Sequence, residues 1–249
     1  MFKGSYVALV TPFKDDGKID EKKFKELIEF HIENGTDGLV PCGCTGEAAT
    51  LHYEEQKRLI KLAVEIVNKR IPVVAGTGSN STEEALDLTR YAKKVGSDGA
   101  LIITPYYNKP TPEGQSRHYA KIAKEADIPI MLYNVPSRTG ISMKPEIVAR
   151  LSKIDNIVAI KEASGNMDQV SQILSLCEIT VLSGDDSLTL PMMAIGAKGV
   201  VSVVANIIPK EVHDMVSAYL DGNINVAKNT HYKILSLCKA MFIETNPIP

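Results

Sequence analysis

Asn156-Ile157-Val158-Ala159-Ile160-Lys161-Glu162-Ala163-Ser164-Gly165 is the stretch on which the fold turns. Ile157 to Ile160 are β-branched or small and show no polar alternation, so they read as a strand covered on both faces, as in a parallel sheet under helices. Lys161 then falls at the strand's C-terminal end. Desolvation there favours the neutral amine, the form that attacks a carbonyl to make a Schiff base. The ordinary alternative is a lysine that snorkels to solvent, and the rest of the chain has to decide between the two.

Working outward, short apolar runs alternate with amphipathic ones along the whole chain. Tyr6–Val10, Gly38–Pro41, Ile71–Ala75, Ala100–Thr104, Pro129–Tyr133, the Lys161 run, Thr180–Ser183 and Gly199–Val204 read as strands. Helices are expected between them, including 54–68, 112–126, 144–152, 188–195 and one from Pro209. Asp20 is placed as the N-cap of the first helix, and Ser81/Thr82 with Glu84 as a capping box. A phrase recurs with variation: Asn34-Gly-Thr-Asp-Gly-Leu, Val95-Gly-Ser-Asp-Gly-Ala and Ile195-Gly-Ala-Lys-Gly-Val. Each joins a helix-ending glycine to a tight strand entry, as a repeated unit would. Eight strand–helix pairs in series with no linker-like break predict an α/β fold, a (β/α)8 TIM barrel over residues 1–223. A helical segment over 224–249 follows.

The 249 residues are 44% hydrophobic and 23% charged, with a formal net charge of −2. That is an ordinary globular composition, sufficient for one large core. Charges of both signs are interspersed, which argues against nucleic acid or an acidic membrane surface as partner. With no signal-like opening and no membrane-spanning apolar run, a cytoplasmic location is expected. Cys42, Cys44, Cys177 and Cys238 lack Cys-x-x-Cys spacing and read as reduced thiols. The five histidines show no paired ligand spacing, so no metal site is expected. Gly76-Thr-Gly78-Ser-Asn80-Ser81 lacks the third glycine of a dinucleotide loop, and nucleotide binding is discounted.

In such a barrel the chemistry sits where the strands end. Beside Lys161, Tyr133 ends the preceding strand and is the natural proton shuttle, a function that imine formation and enamine formation both require. Gly43 to Gly46 offers backbone N–H groups for a carboxylate, helped by the Thr45 hydroxyl. Arg138 could clamp a second carboxylate with its planar fork. Each residue alone has a bland reading as rim tyrosine, plain turn or solvated arginine. Together, at strand ends of one barrel, they point to a site.

The motifs Gly43-x-Thr45-Gly46-Glu47, Thr104-Pro-Tyr-Tyr-Asn-Lys-Pro-Thr111, Tyr133-Asn-Val-Pro-Ser-Arg-Thr-Gly140, Ile160-Lys-Glu162 and the Glu244-Thr-Asn-Pro-Ile-Pro249 end carry a resemblance. The chain is similar to the dihydrodipicolinate synthase (4-hydroxy-tetrahydrodipicolinate synthase) family, within the superfamily of pyruvate-dependent class I aldolases that includes N-acetylneuraminate lyase. The resemblance implies a lyase of lysine biosynthesis through diaminopimelate, with no cofactor beyond a covalent imine of pyruvate on Lys161. The enamine would attack the aldehyde of L-aspartate 4-semialdehyde, and cyclisation would release the product. It implies Tyr133 as general acid/base, with Thr45, Gly43 and Val203 around the pyruvate and Arg138 on the semialdehyde carboxylate. Tyr107 would reach a neighbouring subunit's site, so a homodimer or homotetramer is implied. Tyr106-Tyr107-Asn108 and Arg138-Thr139-Gly140 favour the synthase over a second pyruvate aldolase acting on sugar acids. A further alternative is a paralogue with little catalytic activity.

Three departures from the family pattern stand out. Cys44 occupies a position that usually holds a threonine linking the two tyrosines, and a thiol is a weaker relay. The family continues past Asn-Pro-Ile-Pro, so 224–249 is expected to be the start of a truncated C-terminal helical domain, with Ile234, Leu235, Leu237, Met241 and Phe242 short of their usual cover. Asn80, Glu84, Ala49 and Tyr106 resemble the family's allosteric lysine contacts. Tyr53 and Gln56, however, stand where lysine-sensitive members often carry histidine or an acid. Feedback stays open, with weak or absent inhibition favoured.

Overall fold

A computed structural model describes residues 2–248; Pro249, the last residue of the Asn-Pro-Ile-Pro motif, lies outside the described residues. Strands and helices alternate as the apolar pattern dictates. In order they are β1 (Gly4–Ala8), α1 (Glu21–Glu33), β2 (Gly38–Val40), α2 (Tyr53–Val67), β3 (Val74–Gly76), α3 (Thr82–Val95), β4 (Gly99–Ile103), α4 (Pro112–Ala126), β5 (Ile130–Asn134) and α5 (Pro136–Thr139). They continue with α6 (Pro145–Leu151), β6 (Ile157–Glu162), α7 (Met167–Leu176), β7 (Thr180–Ser183), α8 (Thr189–Ala194), β8 (Gly199–Ser202), α9 (Pro209–Leu220) and α10 (Ile224–Ala240).

All strand pairings are parallel, in the order β2-β1-β8-β7-β6-β5-β4-β3. The remaining gap between β2 and β3 is spanned by a single Leu39–Val73 bridge and by the Gly76 N–H donating to the Pro41 carbonyl at 2.9 Å, which closes a (β/α)8 barrel. Because side chains alternate across a strand, two cores result. Tyr6, Ala8, Val40, Val74, Leu101, Met131, Tyr133, Ala159, Leu182 and Val201 fill the barrel interior. Val7, Leu39, Ile102, Leu132, Ile160 and Val181 face outward onto the helices. Each such fully buried aliphatic side chain contributes roughly 1.5–3 kcal/mol.

The helix ends follow their sequence signals. Asp20 accepts the Lys23 N–H, and Thr111 accepts the Gly114 N–H with Pro112 at the first helical position. The repeated phrase has a physical reading: Gly35, Gly96 and Gly196 all lie at positive φ (80°, 94° and 122°). In two of the three copies the aspartate that follows pins the neighbouring strand, Asp37 accepting from the Ser5 N–H at 2.7 Å and Asp98 from the Val73 N–H at 2.9 Å.

Several expectations need correction. The first strand is Gly4–Ala8, not 6–10, because the edge of the run is set by pairing with β8. The capping box at α3 is half formed: Ser81 accepts the Glu84 N–H, but the Glu84 carboxylate turns to the Ser79 hydroxyl at 2.7 Å. Of the C-terminal apolar residues, Ile234 is buried and Leu237 and Met241 pack against the core, since α10 lies along α9. Phe242 is exposed as expected, and Ile224, Val226, Tyr232, Ile243 and Ile248 are exposed beside it. All four cysteines are free. Among the described residues no helix is long and apolar enough to cross a membrane, and no cluster of metal-ligating side chains is present.

Candidate active site

Strand periodicity decides which residues meet. Lys161 shares the inward parity of Ala159 and Tyr133 that of Met131, and the two sit at facing register positions of β6 and β5. Lys161 is only 4% exposed, and its Nζ stands 4.4 Å from the centre of the Tyr133 ring. Their neighbours Glu162 and Asn134 have the opposite parity and join outside the barrel, where the Asn134 amide donates to both Glu162 oxygens at 3.1 and 3.0 Å. The Ser164 N–H and the Gln169 amide complete that carboxylate's shell. This network fixes the end of β6, and so the direction in which Lys161 points.

Burial lowers the Lys161 pKa from its ordinary value, opposed by Cys44, Asp186 and Asp185. The neutral amine is thereby favoured relative to an exposed lysine. Burial also raises the Tyr133 phenol well above its usual value, reinforced by Cys44 and Asp185 and opposed by Arg138. The phenol therefore stays protonated and able to donate. The pair offers a nucleophilic nitrogen beside a proton donor, which is what addition of an amine to a carbonyl requires.

Both residues open onto a cavity of about 290 Å³ at the C-terminal ends of the strands. Cys44, Thr45 and Val203 line it with them, as does Arg138. Thr45 and Val203 are buried, and Cys44 is half-buried. The loop carrying Cys44 and Thr45 is held down by Thr11, whose hydroxyl donates to the Gly46 carbonyl at 2.7 Å. Arg138 lies in the short helix α5, closed by Gly140 at φ 73°. Its guanidinium donates to the Thr245 carbonyl at 2.8 Å and the Asn246 side-chain oxygen at 3.2 Å. Phe242, Thr245, Asn246 and Pro247 thereby form one wall of the cavity.

Gly184 explains how β7 admits the lysine. A Cβ at this position would meet the Ala163 Cβ at 2.6 Å and the Lys161 Cε at 3.0 Å, so only glycine lets the backbone pass. Asp185 and Asp186 follow. Asp186 is buried and fully engaged, accepting from the Ser202 hydroxyl and the Val203 and Val204 N–H groups. Asp185 lines the cavity.

Not every expected residue comes to this cavity. Gly43 is half-buried and does not line it. Tyr107 stands away from it, 90% exposed at φ 69° on the loop after β4. Asn80 and Glu84 lie at the start of α3, where the Asn80 carbonyl accepts from the Asn108 amide at 3.0 Å. Tyr106 is half-buried and Ala49 exposed, both apart from the cavity. The pattern past the strand ends brings Gly184-Asp185-Asp186 to the mouth without giving Asp185 a role, and gives the 242–247 segment no place there. The doublet after Gly184 was a signal for the first; nothing local marked the second.

Comparison with known proteins places this geometry among relatives. The family model described as the dihydrodipicolinate synthetase family matches residues 1–249. A 4-hydroxy-tetrahydrodipicolinate synthase from Geotalea daltonii is 59% identical over 251 residues, covering 100% of this chain and 86% of the relative. The crystal structure of dihydrodipicolinate synthase from Aquifex aeolicus superposes with a TM-score of 0.97 at 51% identity, covering 100% of this chain and 85% of that one. The chloride-inhibited dihydrodipicolinate synthase from Acinetobacter baumannii, crystallised with pyruvate, matches with a TM-score of 0.97 at 45% identity, over 100% and 86% of the two chains.

Proposed function

The chain belongs to the dihydrodipicolinate synthetase family, and on that premise we propose how its residues perform the family's reaction. The reaction is the condensation of pyruvate with L-aspartate 4-semialdehyde to 4-hydroxy-tetrahydrodipicolinate, a lyase-type step of lysine biosynthesis through diaminopimelate. The observation that carries the assignment is the buried Lys161 amine facing Tyr133 at the ends of β6 and β5.

Lys161 Nζ adds to the keto carbon of pyruvate, and Tyr133 donates the proton needed to expel water, giving an iminium. Thr45 and Val203 flank the pyruvate, and Thr45 with the backbone that follows Gly43, itself set back from the cavity lining, holds the carboxylate. Tyr133, left as phenolate after that donation, takes a methyl proton to give the enamine, and protonates the aldehyde oxygen as the enamine attacks the semialdehyde carbon. Arg138 receives the semialdehyde carboxylate, exchanging its contacts to Thr245 and Asn246 for the substrate. Cys44 passes protons between Tyr133 and solvent more weakly than a hydroxyl would. The covalent imine does the work for which other enzymes recruit a cofactor.

Tyr107, an aromatic side chain held in solvent on backbone of positive φ, completes the relay in a second copy of the chain, so the working form is a homodimer or homotetramer. Asn80, Glu84, Ala49 and Tyr106 form the lysine-sensing surface. Its response is weak or absent, since Tyr53 and Gln56 stand where lysine-sensitive members often carry histidine or an acid, and are engaged here by Asp87 and by the Ala48 and Leu51 carbonyls.

Initial rates with pyruvate and either L-aspartate 4-semialdehyde or N-acetylmannosamine test the reading. Turnover with the semialdehyde alone supports it, and turnover with the sugar alone overturns it. Arg138→Ala should raise KM for the semialdehyde and leave that for pyruvate unchanged.

A further inference from the structure

Asp185 is the one acidic residue among those lining the cavity. Its place is rigid. The Ser183 hydroxyl donates to its carbonyl at 2.8 Å, its own N–H donates to that hydroxyl at 3.2 Å, and its carbonyl also accepts the Leu188 N–H at 3.0 Å. Although it stands at the N-cap of the turn Asp186–Leu188, its carboxylate makes no capping hydrogen bond. The preceding residue, Gly184, lies against the Lys161 side chain, so Asp185 enters the cavity from beside the nucleophile. Asp186 next to it is consumed by three hydrogen bonds. One aspartate is spent inside the fold and the other lines the cavity.

The second substrate poses a chemical problem that Lys161, Tyr133 and Arg138 leave unsolved. Aspartate semialdehyde is an amino acid. Its carboxylate has Arg138, but its ammonium group meets no acceptor among these three. The same nitrogen must later close the ring, and an ammonium is not a nucleophile. Resting on the reaction proposed above, we infer that Asp185 binds the ammonium group of the semialdehyde and acts as the general base for ring closure at Lys161.

Of the three ammonium protons, one passes to the Asp185 carboxylate. The freed amine attacks the iminium carbon, forming a carbon–nitrogen bond and a gem-diamine on Lys161. A second proton moves to Lys161 Nζ as the carbon–Nζ bond breaks, releasing the lysine as a neutral amine, and the third remains on the ring nitrogen. Asp185 then returns its proton to solvent through the open cavity. Burial raises the Asp185 pKa, opposed by Lys161 and by the Gly165 N–H, which makes the carboxylate a stronger base than an exposed aspartate. Asp186 adds to the rise, and the Tyr133 phenol and the Arg138 guanidinium share the cavity with Asp185.

The test uses Asp185→Asn in the full chain, with borohydride trapping and intact mass. With pyruvate alone, the variant should trap the same fraction of adduct as the unaltered protein. With the semialdehyde added, the trapped mass on Lys161 should shift to the uncyclised condensate, and kcat should fall by about 10²–10⁴-fold. Succinate semialdehyde, which lacks the amine, should condense in both proteins, with a far smaller fall in kcat on substitution than aspartate semialdehyde shows. A variant kcat/KM for aspartate semialdehyde within about threefold of the unaltered value overturns the inference. So does loss of pyruvate trapping, which would assign Asp185 to building the Lys161 site. If the unaltered protein traps pyruvate but does not consume aspartate semialdehyde, the proposed reaction fails first and this inference falls with it.

Discussion

Lys161 and Tyr133 occupy facing register positions on β6 and β5, and the lysine nitrogen stands 4.4 Å from the centre of the phenol ring. The ring face favours the ammonium form, whereas burial favours the amine, and burial prevails. A single pairing thus supplies both a nucleophile and the donor that its chemistry needs.

The Lys161 pKa is lowered, so the rate of adduct formation with pyruvate should stay high below the usual lysine range and fall as pH drops through the lowered value. Quenching with borohydride across a pH series reads this directly. A midpoint at the ordinary lysine value would show that the amine is not desolvated.

Tyr133→Phe keeps the ring against Lys161 and removes only the hydroxyl. Turnover should fall by about 10²–10⁴-fold while far-UV circular dichroism and melting temperature stay close to the parent. Unchanged turnover would remove Tyr133 from the proton path.

Cys44→Thr should raise turnover, by up to about tenfold, by restoring a hydroxyl where the chain has a thiol. Pyruvate adduct formation should be unaffected, since Cys44 serves proton steps. A steady-state assay beside a trapping assay separates the two. Turnover no higher than the parent's would count against the relay.

His31 and His118 are buried, and desolvation lowers each to a pKa of about 4. A histidine held neutral in the fold but protonated when unfolded contributes stability that is full above the unfolded pKa of about 6.5 and is lost as pH falls towards 4. The loss is of order 3 kcal/mol for each at the acid end. Urea midpoints should therefore decline from pH 6.5 to 5, above the range in which ordinary carboxylates titrate. A flat profile over that window would contradict the burial of these rings.

Much of this was legible in the chain. The run before Lys161 could only be a covered strand, and its lysine stood out because a charge does not belong there. Helix α4 was read at Pro112–Ala126 as found, because Thr111 and Pro112 mark its start so plainly. Helix α5 was not foreseen, because four residues carry no periodicity. Residues 242–247 meet Arg138 across more than a hundred positions of chain, and no local signal announces such a contact. Asp185 and Asp186 are identical letters side by side. Only the closed barrel, which brings Ser202 and the Val203 N–H to one of them, distinguishes the structural carboxylate from the one facing the cavity.

Imine formation on Lys161 is the step on which every later one depends. Intact mass after incubation with pyruvate and borohydride, followed by peptide mapping, should show one reduced pyruvyl adduct per chain, located on Lys161. An adduct on another lysine, or none on folded protein, would contradict it.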